Sequence, residues 1–302
     1  MDNCILHLDD LSINEIEYGI YFSKWLDGIK SELNFWKHYI DTKGIEFNTK
    51  WDELISNDRP FELDEYLTSA ETKFLDVGSG PFSSCGIKTN KTKMKMYTVD
   101  ALAYIYKALK DKSKIYSGVT PDFAMVEFLD EKFEKNEFDI VLMQNALDHT
   151  FNPLIGILQM LLVCKIGGRV ILKHKINEAE NGNYSGLHQW NLCIDDHKFM
   201  IWRPGIYYNV TEILKEYVDF IINDDPNEYY FTVVLLKKKD IPSNCLPKYL
   251  GKIRNELIFK KFSELIVTGA YKSVSPAKVK IKMIVKEIPF LGYCARKIYK
   301  KC

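Results

Sequence analysis

One stretch constrains this chain more than any other: an apolar strand running straight into two glycines, Lys73-Phe-Leu-Asp-Val-Gly-Ser-Gly-Pro-Phe-Ser83. Phe74, Leu75 and Val77 have the character of a strand buried in a sheet, and Gly78 and Gly80 allow a tight turn whose backbone itself approaches a ligand. Pro81 can take the first position of a helix, where its missing N–H has no partner to lose, so a helix is expected after the turn. Two acids strengthen the pattern. Asp76 lies at the strand end, and Asp100 closes the next strand-like run, Met94-Lys-Met-Tyr-Thr-Val-Asp100. That places Asp100 about 20 residues past the glycines, where a ribose-binding carboxylate belongs.

Strand-like and helix-like segments continue to alternate. Ala101–Lys110 reads as a helix, Phe123–Phe128 as a short apolar run with Glu127 beside its end, and Phe138–Met143 as a buried strand. After the loop Asn145-Ala-Leu-Asp-His-Thr-Phe-Asn-Pro153, a helix is expected from Pro153 to Cys164, then a Gly167-Gly168 turn and the strand Arg169–Lys173. Right-handed crossovers would set these strands in parallel with helices on both faces, an α/β, Rossmann-like sheet. Residues 177–202 break the rhythm. They are polar, aromatic and rich in His, Trp and Asn, as an insertion over the strand ends would be. Asn209 then caps a helix with Glu212 three residues on, and the alternating Tyr229–Leu236 reads as a strand with Tyr217–Ile222 as hairpin partner.

The flanks differ from this centre. From Glu15 to Ile40, Tyr18, Phe22, Trp25, Leu26, Ile29, Leu33, Trp36 and Ile40 fall at three- and four-residue steps, the apolar face of a helix that covers a core. Residues 1–71 carry 16 acids and 6 bases, whereas residues 236–302 carry 17 bases and 4 acids, although the whole chain of 302 residues has no net charge. The expected organisation is a helical cover over 1–70, a nucleotide-binding domain over 71–239 and a basic helical extension over 240–302. That extension either docks on the acidic start or makes a peripheral contact with an anionic membrane surface.

Composition excludes several classes. No run of about 18 apolar residues occurs, and the first residues lack the basic-then-apolar order of a signal peptide, so a cytoplasmic protein is expected. The seven cysteines are scattered and include no Cys-x-x-Cys pair, which argues against a disulfide framework and a zinc site. A nucleic-acid partner is not expected, because the basic excess is confined to one end. Nothing in the sequence indicates an oligomeric state.

The order of motifs at Phe74–Ser83, Asp100, Glu127, Phe138–Asn145 and Ile166–Leu172 resembles that of the class I S-adenosylmethionine-dependent methyltransferases, over roughly residues 70–240. The resemblance implies a mostly parallel seven-stranded sheet and S-adenosylmethionine as cofactor. It also implies that Asp76, Gly78, Ser79 and Gly80 cradle the methionine part, that Asp100 with Ala101 takes the ribose, that Glu127 lies near the adenine, and that Asn145 closes the active-site end of the fourth strand. Ile166-Gly-Gly-Arg169 stands where the family usually has Pro-Gly-Gly. A nicotinamide-binding fold fits less well, because Ser83 occupies the place of its third glycine. Asn145-Ala-Leu-Asp-His149, Asn152-Pro153 and Tyr184-Ser-Gly-Leu-His-Gln-Trp-Asn191 are further similar to a bacterial subgroup found with surface-polysaccharide genes.

Methyl transfer needs alignment of acceptor, methyl and sulfur, and a group to remove the acceptor's proton. The strand ends nominate Asp148 and His149, His174, and His188 with Gln189, Trp190 and Asn191. His188 and His149 stand about equal as base. Asp195-Asp196-His197 with Asp148 invites a divalent ion, but adjacent aspartates point to opposite faces of a strand, and no metal is assigned. The function expected is O-methylation of a sugar or related small molecule. RNA or protein methylation, and a non-catalytic methyltransferase-like subunit, are the alternatives.

Overall fold

In a computed structural model the described residues are 15–242 apart from 84, 226 and 227, with side chains described from residue 21 on, apart from that of residue 22. The basic extension from residue 243 on, and the first 14 residues, lie outside them. In chain order the elements are α1 (Glu15–Asp41), α2 (Trp51–Leu54), β1 (Glu71–Val77), β2 (Lys93–Asp100), α3 (Ala103–Lys112), β3 (Asp122–Phe123), β4 (Phe138–Gln144), α4 (Pro153–Val163), β5 (Cys164–Lys175), α5 (Glu178–Asn181), β6 (Asn191–Asp195), β7 (Lys198–Arg203), β8 (Ile206–Asn209), α6 (Val210–Leu214), β9 (Val218–Asp224) and β10 (Tyr230–Lys237). No helix among the described residues is long and apolar enough to cross a membrane.

Seven strands form one sheet in the order β3-β2-β1-β4-β5-β10-β9. The first five run parallel, and β10 pairs antiparallel with both β5 and β9. Strand side chains alternate between two cores. Leu75, Val77, Val141, Met143, Val170, Leu172, Val233 and Leu235 share one, whereas Phe74, Ile140, Leu142, Ile171 and Val234 share the other. A one-residue slip of any strand would exchange its faces, so this register is firmly specified. Helix α4 has no exposed residue, which is why its sequence shows no polar face. Its single amide, Gln159, accepts a hydrogen bond from the Asp130 N–H at 3.0 Å. Asn152 caps it, accepting from the Ile155 N–H at 3.1 Å ahead of Pro153.

Three expectations are corrected. No helix follows Pro81. Residues 81–92 are rich in Ser, Thr, Asn and Gly, which compete with helical hydrogen bonding, and they knit to the segment before β1. Phe61 N–H donates to Lys88 O and Glu62 N–H to Cys85 O, both at 2.8 Å. Gly86 has φ +70°, and a Cβ there would lie 1.9 Å from Pro60 O, so the turn that lays this segment over the second core requires glycine. The apolar run Phe123–Phe128 is strand only at Asp122–Phe123; Val126–Glu131 forms a 3-10 turn. Gly167-Gly168 lies within β5, at a register shift opposite Phe138 and Ile140, where the strand bulges.

The insertion is more structured than its composition suggests. Beginning with α5, it becomes a three-stranded antiparallel sheet, β6-β7-β8, reaching Asn209. Trp190, Leu192, Phe199 and Ile201 carry it into the first core. Asp196 and His197 have φ of 46° and 57° and make the two-residue turn of its first hairpin, so Asp195-Asp196-His197 is an exposed turn. The capped helix and the hairpin after it form as expected: Asn209 accepts from the Glu212 N–H at 3.0 Å, and β9 pairs with β10. At the other end, α1 buries Trp25, Leu26, Ile29 and Ile40 and stops at Gly44, whose N–H donates to Tyr39 O.

Candidate active site

The glycine turn is fastened to the end of β2. Gly78 N–H donates to Val99 O at 2.8 Å, and Gly80 N–H donates to Asp100 Oδ2 at 3.0 Å. Asp100 Oδ1 accepts from the Leu102 N–H at 2.7 Å, so one carboxylate orders both turns at this edge. Burial pushes Asp100 up to about 6 against the pull of these two N–H groups. Gly78 and Gly80 have φ of +67° and +63°, and Cβ atoms there would lie 2.7 Å from Ala146 Cβ and 2.9 Å from the Trp36 ring. Ser79 Oγ donates to Gly80 O, and Ala101 is half-buried beside Asp100. Asp76 sits beneath the turn, 1% exposed; its Oδ2 has no hydrogen-bond partner, and burial pushes the carboxyl up to about 7. An ordered turn with left-handed glycines, an acid at its edge and an orphan buried acceptor below suit an adenosyl ligand with hydroxyl and amine groups to donate.

Two residues assigned to the cofactor have structural partners as well. Glu127 Oε1 accepts from the N–H groups of Phe151 and Asn152 at 3.0 and 3.3 Å, tying the loop after β4 to the end of β3. Asn145 takes φ +49°, a conformation asparagine tolerates, and its Oδ1 accepts from the Lys175 N–H at 3.4 Å.

Beyond Asn145, a 3-10 turn at Leu147–His149 delivers Asp148 and His149, and the insertion brings His188 to them across 40 residues of chain. His188 Nδ1 lies 2.7 Å from Asp148 Oδ2 and 3.1 Å from His149 Nε2. Burial would raise the Asp148 carboxyl, but His149 and His188 outweigh it and hold it below its ordinary value. Burial would lower the His188 imidazole, but the hydrogen bond and charge of Asp148 outweigh that and hold it above its ordinary value. All three nominated catalytic residues therefore meet. His174 belongs to the same neighbourhood but is buried in β5 with neither ring nitrogen partnered, and burial pushes it down to about 4, a neutral imidazole near neutral pH.

Trp190 and Asn191 are corrections. Trp190 is a core residue, and Asn191 is spent within the insertion, donating to Tyr184 Oη at 2.9 Å and accepting from the Glu180 N–H at 2.8 Å. Gln189 braces the loop through Tyr184 O and Gly186 O, and its own N–H donates to Asp148 O.

Glu32 of α1 was not nominated from the sequence. Its Oε1 accepts from Trp36 Nε1 at 2.7 Å and its Oε2 lies 4.0 Å from His149 Nδ1. The signal available was an acid one turn before Trp36, close to the apolar stripe. A cleft of about 820 Å³ opens between α1 and the insertion, lined by Lys24, Lys30, Asn34, Tyr184, Gln189 and Arg203 among others. Arg203 lies with its guanidinium 4.5 Å from the Tyr21 ring centre and 5.1 Å from that of Trp190.

No protein-family model matches the chain, and no curated protein matches it. Solved structures similar to it include the CurJ carbon methyltransferase, at 15% identity and a TM-score of 0.42 over 58% of this chain and 51% of that one. A SAM-dependent methyltransferase from Aquifex aeolicus has 15% identity and a TM-score of 0.37 over 64% and 96%. A possible histamine N-methyltransferase from Thermotoga maritima has 12% identity and a TM-score of 0.43 over 71% and 100%. The chain spans about half the length of the first of these. What it does is therefore read from its own residues.

Proposed function

We propose that this chain is an S-adenosylmethionine-dependent methyltransferase acting on a hydroxyl of an anionic, sugar-like acceptor of the kind built into surface polysaccharides. The observation that carries the reading is a juxtaposition. The glycine turn, Asp100 and the Asp148–His149–His188 cluster meet at the carboxyl ends of β1, β2 and β4, where ligands of open α/β sheets bind, with Gly78 against Ala146 and Asp100 in the field of His149 and Glu32.

When bound, the cofactor supplies an electrophilic methyl on a sulfonium. Gly78–Gly80 would carry its amino-acid end and Asp100, with a lone pair left on each oxygen, its ribose hydroxyls. Trp36 covers Gly80 and would exclude water from that side. The acceptor enters from the cleft, where Gln189 and Gly186 flank His188. Its hydroxyl would give up its proton at the His–Asp cluster, where Asp148 holds His188 at 2.7 Å. Lys24, Lys30 and Arg203 outnumber the one acid, Asp27, in the lining, which favours phosphate or carboxylate on the acceptor, and Asn34 and Tyr184 add partners for hydroxyls.

Calorimetry with S-adenosylhomocysteine, followed by labelled-cofactor assays on nucleotide sugars, sugar phosphates and neutral glycans, tests this. Asp100→Ala should weaken cofactor binding by about 100-fold, from the loss of charged hydrogen bonds of roughly 1.5–3 kcal/mol each. His188→Ala should leave cofactor affinity within a few-fold and abolish turnover. No binding by the native chain would sink the proposal, and salt-sensitive binding of RNA in place of sugar acceptors would move it to another substrate class.

A further inference from the structure

Asp148 Oδ2, His149 Nε2 and His188 Nδ1 converge on one point. The edges of their triangle are 2.7, 3.1 and 3.7 Å. Ligands about 2.1 Å from a common ion at angles of roughly 90–110° lie ~3.0–3.4 Å apart, and these edges bracket that spacing.

A proton serves the triangle only through a shared hydrogen bond. If His188 Nδ1 carries its hydrogen toward Asp148, that one hydrogen is shared with the His149 Nε2 lone pair at 3.1 Å. If His149 Nε2 carries the hydrogen instead, the 2.7 Å approach of His188 Nδ1 to the carboxylate has none. A single cation satisfies all three lone pairs at once. Asp148 is 3% exposed, and its second oxygen, Oδ1, has no hydrogen-bond partner, a buried acceptor left unused. His149 Nδ1 lies 4.0 Å from Glu32 Oε2, so an acid stands near the ring nitrogen turned away from the triangle without a direct hydrogen bond to it. The side chains of His149 and His188 remain 18% and 31% exposed, so the outer side of the triangle is open.

We propose that Asp148, His149 and His188 form a facial binding site for a divalent transition-metal ion of the manganese-to-zinc series. Two imidazoles disfavour magnesium and calcium, which take oxygen ligands. The site revises the sequence reading, which assigned no metal. Its use in catalysis rests on the methyltransferase proposal: the ion would make an acceptor hydroxyl in an open position more acidic. Its existence does not depend on that proposal.

The test is a titration of the full chain, without a histidine tag and dialysed against chelator, with cobalt chloride. Calorimetry and the visible absorption of Co²⁺ are both followed. One equivalent should bind with a spectrum characteristic of mixed nitrogen and oxygen ligands. His188→Ala and Asp148→Asn should each weaken binding by about 100-fold, whereas His197→Ala, in the exposed hairpin turn, should leave it unchanged. Near-ultraviolet circular dichroism establishes that the variants are folded, and His149→Gln replaces any that is not. Absence of stoichiometric binding, or equal affinity in folded ligand variants, would overturn the site. A parallel titration with S-adenosylhomocysteine separates the two proposals. Cobalt binding without cofactor binding keeps the site and removes its methyltransferase role, and cofactor binding without cobalt binding overturns the site alone.

Discussion

Asp76 and Asp100 show how burial turns two similar carboxyls to different ends. Each oxygen of Asp100 accepts one backbone N–H, whereas Asp76 has an oxygen with no partner and a carboxyl raised to about 7. A raised folded-state value means that the folded chain holds its proton after the unfolded chain, near 3.8, has released it. The associated stability is complete below about pH 4 and is lost as pH rises toward 7, an upper bound of roughly 4 kcal/mol at about 1.4 kcal/mol per unit. Asp100, raised to about 6, adds a slope of the same sign. Asp76→Asn should therefore gain stability relative to the native chain as pH increases from 4.5 to 7.5, measured as urea midpoints across that range. Parallel pH curves for the two proteins would show that Asp76 is not buried as a proton-holding group. Both acids were visible in the sequence, because the distance from the glycines to Asp100 is set locally by one crossover. That one Asp76 oxygen, Oδ2, would be left without a partner was not visible, because it depends on the fold of residues 81–92, which brings Ser83 to the carboxyl.

The elements around the site divide in the same way. Helix α1 was legible from its three- and four-residue period, since that period follows from burial of one face. What the face covers was not, because it is decided by docking onto segments far along the chain. Trp36 meets the Tyr106 ring of α3 at 5.9 Å and overlies Gly80, and Glu32 one turn earlier reaches toward His149. Residues 177–202 were legible as a break in the sheet pattern but not as strands, because Leu192, Phe199 and Ile201 bury against the main core among aromatic and polar neighbours that mask their alternation. The close point between α1 and this insertion is Gly28, where a Cβ would lie 2.5 Å from the backbone oxygen of Gly186. Gly28→Ala should push the helix away, costing about 1–3 kcal/mol as overpacking does. Thermal melting should register that loss. Turnover should fall more than cofactor affinity, since Glu32 moves with the helix whereas Asp100 and the glycine turn are held by β2. A fall in cofactor affinity alone would place α1 in the donor site and not between the two sites.

At the scale of the whole molecule, the proposed function would place a donor side at the ends of β1 and β2 and an acceptor side in the cleft between α1 and the insertion, with the His–Asp cluster between them. The donor side follows from local sequence. The acceptor side is assembled from residues 24–34 and 184–204, segments about 150 positions apart, so no spacing rule reveals it. Its electrostatics nevertheless make a definite statement through Arg203. This residue is 8% exposed, has its guanidinium 4.5 Å from the Tyr21 ring centre and 5.1 Å from that of Trp190, two rings that themselves meet edge-on at 5.8 Å, and forms no ion pair among the described residues. Aromatic faces offset part of the cost of burying a guanidinium but do not accept its hydrogen bonds; among the described residues no carboxylate neutralises it, and on the proposed function an anionic group entering the cleft would. Arg203→Met keeps much of the apolar stem and removes the charge. For a phosphate-bearing acceptor, the loss of one or two charged hydrogen bonds, about 1.5–3 kcal/mol each, should raise KM by roughly 10- to 100-fold. Calorimetry should show S-adenosylhomocysteine affinity unchanged, and turnover of a neutral acceptor should be unaffected. Arg203→Lys should fail to restore KM, because an ammonium does not present a planar fork to phosphate. Equal loss with charged and neutral acceptors would mean that Arg203 only braces Trp190, and the anionic acceptor would then have no basis in this cleft.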